Sequence, residues 1–534
     1  MKMTHPILSC AESLIWEKNL LGDDVNRQWE AMTLAGRALG RAILKDYREC
    51  QSILKKPHIL VLAGKGHNTG DAIIAADEIF RMHPDAKVTL ILTSEEASLK
   101  PLVKRALGDL KKIMGVQLRL ENFETGVDSI APDLNIRLEN LAGKQGFDLC
   151  IDGILGMQFH PPIREDVARL LRTVNAFERI GLRAAVDLPS GIGDEVDRSH
   201  CFRADFTYAT GVAKSPLFFE GNAPVVGRIR YLDIGFFDRE SPGAATSILL
   251  PSILDKLRQW RPSISDKRSF GHLFVLGGSR AMPGALLMSV KAALKSGVGL
   301  VTAFAPESVA APFAAAAPEA MWVPWPETPS GGLALEGKHL LLERINRANA
   351  LLMGPGMGLE DETQLLLKEF VGELPLRLVL DADALQPKTI DRVEQRPAEA
   401  EPVVITPHWG EFIRLTRWDA SVESSTALRD FCKNKNLITV LKGRITRIGK
   451  DDGVSPLMHS IFGGPVLARG GSGDLLCGLI AGLLSQPHGD VFEAACRGVT
   501  WHGMAADALA RERGSVSITI TEFLDFLPKV LRQS

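Results

Sequence analysis

The chain has almost no charge imbalance: 62 basic residues stand against 64 acidic ones, a formal net charge of -2 over 534 residues. Such a balance leaves no electrostatic footprint for nucleic acid or an anionic membrane, so small-molecule chemistry is the default. Cysteine is scarce too, with seven residues and no CxxC pair. That argues against a disulfide framework or a thiolate zinc site, points to a reducing compartment, and makes all seven structural. Long apolar runs are missing. The opening MKMTHPILSCAESLIWEKN has no apolar core long enough for a secretory signal, and the runs elsewhere fall short of the roughly 18 residues that cross a bilayer. A soluble chain of the cytoplasm, free of membrane and nucleic acid, is expected. No short-period repeat is visible either, which removes solenoids and propellers.

What is present is apolar content, at 45%, ample for more than one core. At roughly 150 residues per domain, the length suggests two large or three medium domains. Short β-branched runs alternate with longer helical patterns, the signature of parallel α/β layers. One series comprises HILVLAG (58–64), KVTLILT (87–93), FDLCIDGIL (147–155), RAAVDLP (183–189), ADFTYAT and IRYLDIG, ending near Gly235. A second comprises GHLFVLGG (271–278), GLVTAFAP, ALLMGPG, LRLVLDAD, PVVITP and LITVLKG. Between them lies a polar, proline-bearing stretch with one short helical pattern, so domains over 1–240 and 250–534 are expected.

In the first half, GKGHNTGDAIIAADEIF follows a strand and opens a helix, presenting backbone N–H groups to an anion. A plain strand-to-helix turn fits the same letters equally well. Later strand ends carry Asp152 and Gly156, then Asp187, Ser190 and Gly191. Ligands gather at the carboxyl ends of parallel strands. There Asn68, Asp152 and Ser190 would bring amide, carboxylate and hydroxyl oxygens together, a set suited to a hard cation rather than zinc. The alternative is that Asp152 and Asp187 cap local loops.

In this order, these residues resemble the NAD(P)HX epimerase domain, the YjeF N-terminal domain, over roughly residues 5 to 236. The resemblance implies a Rossmann-like three-layer α/β/α fold. The family's GNNGGDG loop corresponds to GHNTGDA, so His67, Asn68, Thr69, Gly70 and Asp71 would contact substrate, with Gly156 and Asp187. Potassium (K+) ligands would be Asn68, Asp152 and Ser190. The family's APKPG segment corresponds to VAKSP, which puts Lys214 forward beside Asp187 as a catalytic group that assists ring opening and reclosure. The chain departs from the family at His67, Thr69 and Ala72, and at MQFHPPIRED after Gly156, where the family has a Lys-Gly pair. Thr69 adds a β-branched side chain where a glycine conformation is expected.

The second half is richer. ARGGSGDLLCGLIAGLL (468–484) sets glycines and Asp474 before an unbroken apolar helix pattern. Small residues let N–H groups approach an oxyanion, the helix dipole favours negative charge there, and a first-turn carboxylate can take a proton from a hydroxyl as it meets phosphate. A tight loop with Asp474 as a helix-favouring acid is the alternative. Gly284 and Ala285 open another helix and leave room for a ligand, or serve tight packing. MGPGMG (353–358), LDADAL (380–385), TPHWGEF (406–412) and LKGRIT (441–446) each fall at a predicted strand end and outline one rim. Lys442 can reach a nucleotide phosphate, with the Thr446 hydroxyl close by. His408, between a proline and Trp409-Gly410 on this rim, reads as a ligand contact, although a lone histidine is commonly a satisfied structural one.

This constellation resembles the ribokinase-like fold, specifically the ADP- or ATP-dependent NAD(P)HX dehydratase, the YjeF C-terminal domain, over about 265 to 525. The resemblance implies that Ala285, Gly358, His408 and Asp474 contact the hydrated cofactor. It places Lys442, Gly443, Arg444, Ile445, Thr446 and Gly473 on the nucleotide. Asp474 is the expected catalytic base, with Mg2+ accompanying the nucleotide. Arg469 replaces a family threonine and Trp409 a family proline; Arg469 either clamps a phosphate or is solvated. Together the halves imply a homo-oligomeric repair enzyme that epimerises R and S NADHX and NADPHX and dehydrates the S form. The GSGD turn is also shared with sugar and vitamin kinases, whose product keeps the phosphate, and the altered HNTGDA loop also suits a first half that binds without catalysing.

Overall fold

The computed structural model describes residues 2–50, 54–123, 134–418, 424–433, 435–450, 452–487 and 489–532. The chain forms two compact units, one built on His5–Ala244 with Arg511–Gly514, the other on Ala245–Ala510 and Ser515–Ser534 with Met1–Thr4.

The first unit carries β1 (Thr4–Leu8), β2 (His58–Ala63), β3 (Lys87–Leu92), β4 (Leu118–Asn122), β5 (Phe147–Gly153), β6 (Ile180–Val186), β7 (Phe206–Thr210), β8 (Ala213–Lys214) and β9 (Arg228–Leu232). Seven of them form a sheet in the order β4-β3-β2-β5-β6-β7-β9, parallel throughout. β1 pairs in parallel with β8. A parallel sheet must be covered on both faces, so its central strand β2 is apolar from Ile59 to Ala63. In β2, Ile59, Val61 and Ala63 face a core with Leu39 and Ile43 of the helix Val25–Tyr47 and Ile73 and Ala76 of the helix His67–Met82. Leu60 and Leu62 face the opposite core, with Leu138, Val167 and Leu171.

The second unit carries β10 (Thr246–Leu249), β11 (His272–Leu276), β12 (Leu300–Pro306), β13 (Met321–Trp325), β14 (Ala350–Met353), β15 (Arg377–Leu380), β16 (Val403–Ile405), β17 (Leu437–Leu441), β18 (Thr446–Lys450) and β19 (Leu457–Ser460). They lie in the order β13-β12-β11-β14-β15-β16-β17-β18-β19-β10. β18 runs antiparallel to both neighbours; the remaining pairs are parallel. Leu273 and Val275 face a core shared with the helices Pro283–Lys295, Ser472–Leu484 and Val491–Arg513, whereas Phe274 and Leu276 face one shared with the helix Asp361–Glu373. The α/β class read from the sequence holds in both units.

Two differences are informative. The stretch expected to be a polar connection contains β10 and a 3-10 segment, Pro251–Arg258. Ile248, Leu249 and Leu250 there are apolar because they are buried. β18 and β19 form a hairpin that no alternating pattern announced, since β18 is buried on three consecutive residues. Among the described residues, no helix is long and apolar enough to cross a membrane.

Candidate functional site

In the first unit, β2 passes through a glycine turn into the helix His67–Met82. Asn68 in its first turn donates from Nδ2 to the carbonyls of Leu155 (3.1 Å) and Val186 (3.0 Å), which joins the ends of β5 and β6. Gly156 permits this approach, because a Cβ there would lie 2.7 Å from Asn68 Oδ1. At the end of β5, Asp152 is wholly buried. It accepts hydrogen bonds from the Ser190 amide (2.7 Å), the Ser190 hydroxyl (2.7 Å) and the Ile154 amide (3.3 Å). Burial pushes its carboxyl up to about 6 against the pull of those donors. The Leu155 amide in turn donates to Ser190 Oγ at 3.0 Å.

One step further along the same rim, Asp187 follows β6 with φ 64°, a left-handed conformation that an aspartate adopts at a cost. Its Oδ1 accepts from Lys214 Nζ at 2.5 Å and from the Thr210 amide at 3.2 Å. Lys214, at the end of β8, is 1% exposed and also donates to the Thr210 carbonyl at 3.1 Å. Glu17 Oε1 lies 3.8 Å from the same Nζ. Asp71, 8% exposed, has an Oδ1 with no hydrogen-bond partner. Three acids thus surround one lysine, and they respond as burial and mutual repulsion dictate. Burial, then Asp187 and Glu17, hold Asp71 well above the carboxylate range. Burial also pushes Glu17 up to about 7, with Lys214 opposing and Asp187 adding. Burial disfavours the Lys214 charge, but Asp187 and Glu17 outweigh it and raise its pKa.

In the second unit, β11, β14, β15, β16 and β17 lie side by side and parallel. Their carboxyl ends deliver the GPGMG turn, Asp381, Thr406-Pro407-His408 and Lys442 to one edge. Asp381, 2% exposed, accepts from Lys442 Nζ at 2.9 Å and from the Thr406 hydroxyl at 2.7 Å. The helix Ser472–Leu484 begins at Gly471, whose φ of 92° suits glycine. Asp474 stands in its first turn. A Cβ on Gly473 would lie 3.2 Å from Lys442 Nζ, so the turn lies close over the lysine. Burial, then Asp381 and more weakly Asp383, push the Asp474 carboxyl up to about 7 while Lys442 restrains it. For Lys442, burial works against the charge, and Asp381 and Glu411 raise its pKa above the ordinary lysine range.

A family model described as NAD(P)H-hydrate dehydratase matches residues 273–529, and one described as YjeF-related protein N-terminus matches 29–215. The bifunctional NAD(P)H-hydrate repair enzyme Nnr of Moorella thermoacetica is 31% identical over 92% of this chain and 91% of that protein. The chain belongs to the bifunctional NAD(P)H-hydrate repair enzymes. The family member from Gloeobacter violaceus is 33% identical over 90% of this chain and 89% of its own length. A solved ADP/ATP-dependent NAD(P)H-hydrate dehydratase from Bacillus subtilis, co-crystallised with ATP/Mg2+, is 27% identical, covers 52% of this chain and 96% of its own, and has a TM-score of 0.43.

For a repair enzyme of this family, the structure brings the residues singled out from sequence into two clusters. Asn68, Asp152, Gly156 and Ser190 are linked by the contacts above. Asp187 and Lys214 form a buried pair. Thr69 departs from the expectation that its position needs glycine: it is helical and buried, and its hydroxyl accepts from the Gly64 amide (2.8 Å) and donates to the Gly153 carbonyl (2.8 Å). Ala72 is buried too, filling space over Gly153, whose Cβ would lie 2.8 Å from that of Ala72. His67 is exposed as a whole, but partial desolvation of its ring, followed by the Lys100 charge, lowers its pKa. Gly70 lets Met32 approach, since a Cβ there would lie 2.5 Å from Met32 Sδ.

In the second cluster, Ala285 lies against the GPGMG turn, its Cβ 3.1 Å from where a Cβ on Gly356 would stand, and the Gly358 amide donates to Asp383 Oδ2 at 2.9 Å. His408 caps the helix Trp409–Thr416: Nδ1 accepts from the Gly410 amide (2.9 Å) and the Glu411 amide (3.3 Å), which leaves Nε2 to carry the proton. Of the 442–446 run, Gly443 and Arg444 are exposed on the turn and Thr446 begins β18, but the Ile445 side chain is 2% exposed and in the core, so only its backbone is available to a ligand. Arg469 is half-buried and donates from Nη2 to the carbonyls of Ser515 (2.8 Å) and Val516 (2.7 Å). Trp409 packs at a tilt against Trp418 and covers Gly443, where a Cβ would lie 2.8 Å from its Nε1. Glu17, Asp381, Asp383 and Glu411 were missed by sequence reasoning. Only Asp381 and Asp383 gave a signal, as two aspartates closing the strand LRLVLDAD.

Proposed function

We propose that the second unit dehydrates the S form of NADHX and NADPHX, using ADP or ATP as phosphoryl donor, with Asp474 as the base. The observation that carries this is the position of Asp474 in a helix first turn, beside the Lys442–Asp381 pair, with its carboxyl poised at about 7. A base works best when its pKa lies near the working pH. Asp474 takes the proton of the C6 hydroxyl as that oxygen meets the terminal phosphoryl group. The amides of Gly471 to Gly473 and the dipole of a thirteen-residue helix receive the developing negative charge. Lys442 keeps its proton and supplies positive charge to the phosphates. Phosphate then leaves C6 with its bonding pair and the adjacent ring carbon loses a proton, whose C–H pair becomes the restored ring double bond. Mg2+ accompanies the nucleotide and neutralises its diphosphate. The substitution Asp474→Asn keeps the shape and removes the base, so it lowers the rate about a thousandfold while nucleotide binding persists. Near-wild-type turnover in that variant defeats the assignment.

The first unit, on the same reading, interconverts the R and S hydrates. The C6 carbon bears a hydroxyl and the ring nitrogen, so inversion proceeds by opening and reclosing the ring: Asp187 accepts the hydroxyl proton and the Lys214 ammonium supplies one to N1. The strained φ of Asp187 and the sealed Lys214 hold these two groups in place. Asn68, Asp152 and Ser190 fit a potassium ion. The Asp152 carboxylate is buried with only neutral donors on it, and Asn68 is pinned by its Nδ2, leaving Oδ1 to accept. The ion would offset the cost of that buried charge and fix the loop. Replacing K+ by choline in the buffer then slows epimerisation and leaves S-specific dehydration unchanged.

A further inference from the structure

Glu17 lies outside every motif discussed above and ahead of the matched residues 29–215. Its helix, Cys10–Leu21, is nonetheless firmly placed. Ser9 and Glu12 form a capping box at its start, and Asp194, just past Ser190, accepts from the amides of Cys10 (2.8 Å) and Ala11 (3.0 Å). The side chains around the lysine differ in access to water. Lys214 is 1% exposed and Asp187 4%, whereas Glu17 is 23% exposed with Oε1 3.8 Å from Lys214 Nζ. A sealed acid–base pair that moves protons needs a partner in contact with solvent, and Glu17 is the group beside the lysine that has both contacts. Asp71 does not serve, being buried with its Oδ1 unpartnered.

We infer that Glu17 relays protons between solvent and Lys214 during epimerisation, acting through the lysine as a positioning and relay residue. The inference rests on the epimerase reading of the first unit. In ring opening, the C6 hydroxyl proton passes to Asp187, C6=O forms, the N1–C6 bond breaks and its electron pair stays on N1. N1 takes a proton from the Lys214 ammonium, the lysine amine takes one from the Glu17 carboxyl, and water restores Glu17. Reclosure on the opposite face of the carbonyl runs each transfer backwards, so no proton is gained or lost. The groups facing Glu17 and its lysine are Asp187, Asp71 and the Cys10 thiol, and the thiol is pushed up to about 12 by burial, then Asp194 and Asp187, so it stays neutral. The donor form of Glu17 exists below about 7 and disappears as pH rises through that value.

The test follows R-to-S conversion of NADHX by the full-length enzyme without nucleotide, so that dehydration is silent, with the uncatalysed rate subtracted. Wild type should lose activity as pH rises through about 7. Glu17→Gln should lower kcat about a hundredfold with KM within about twofold, lose that limb, and regain rate in proportion to added imidazole; Glu17→Asp should restore rate and limb. Unchanged kcat in Glu17→Gln, a retained limb, or no response to imidazole while Glu17→Asp is equally inactive overturns the relay. A wild-type enzyme that does not epimerise at all sinks the epimerase reading and the relay with it, whereas a normal wild type with an unaltered variant sinks the relay alone.

Discussion

At the scale of residues, both sites use one device: a lysine held among more carboxylates than it can neutralise. In the second unit the surplus falls on Asp474, raised to about 7 first by burial and then by Asp381. Dehydration kcat/KM should therefore be flat above about 7 and fall tenfold per pH unit below it, as the base becomes protonated; a profile level down to pH 5 contradicts this. Stability carries the opposite sign. A carboxyl whose folded pKa exceeds its unfolded value stabilises the fold at low pH, and that contribution is lost as pH rises through about 7. Asp474→Asn should accordingly raise the melting temperature relative to wild type at pH 8 and make little difference at pH 4, a comparison for calorimetry. Removing the lysine acts on both counts. Lys442→Met strands the buried Asp381, costs about 3 kcal/mol, and lifts the restraint on Asp474, so the dehydration limb moves above about 7. A limb that stays in place would show that Lys442 does not govern the base. Asp474 and Lys442 were legible because each sits in a glycine-bearing turn at an element end. Glu17 was not, because its role comes from a contact across 197 residues with Lys214, which no local spacing encodes.

At the scale of elements, the helix Ser472–Leu484 is apolar on all sides because it is buried from Leu475 to Leu484. It crosses the helix Pro283–Lys295 at two glycines. A Cβ on Gly478 would lie 2.1 Å from the Ser289 carbonyl, and one on Gly482 2.1 Å from Ser296 Oγ. Gly478→Val must push the helices apart, costing about 3 kcal/mol and shifting Asp474 away from Lys442. Thermal unfolding and dehydration rate should both fall, and a variant as stable and active as wild type would show that close packing does not position the base. The central strands were legible as apolar runs. The edges were not: β4 reads LRLEN, half polar because one side faces water, and β13 holds Pro324, tolerable on an edge strand. The antiparallel β18 broke the βα rhythm on which the reading relied.

At the scale of the whole molecule, each of the two units brings one lysine–aspartate pair to the carboxyl ends of parallel strands. That both clusters lie there was readable from topology alone, since a parallel sheet puts its strand ends, loops and helix starts on one edge. The chemistry proposed for the two clusters is complementary: one equalises the epimers, the other consumes one of them. The decisive measurement is recovery of reduced-nicotinamide absorbance from an equal R and S mixture of NADHX, with nucleotide present, in wild type, Asp187→Asn and Asp474→Asn. Wild type should recover all of it at one rate. Asp187→Asn should recover the S half quickly and the remainder only as fast as the hydrates epimerise unaided, and Asp474→Asn should recover none beyond the blank. Full, rapid recovery in either variant contradicts the division of labour.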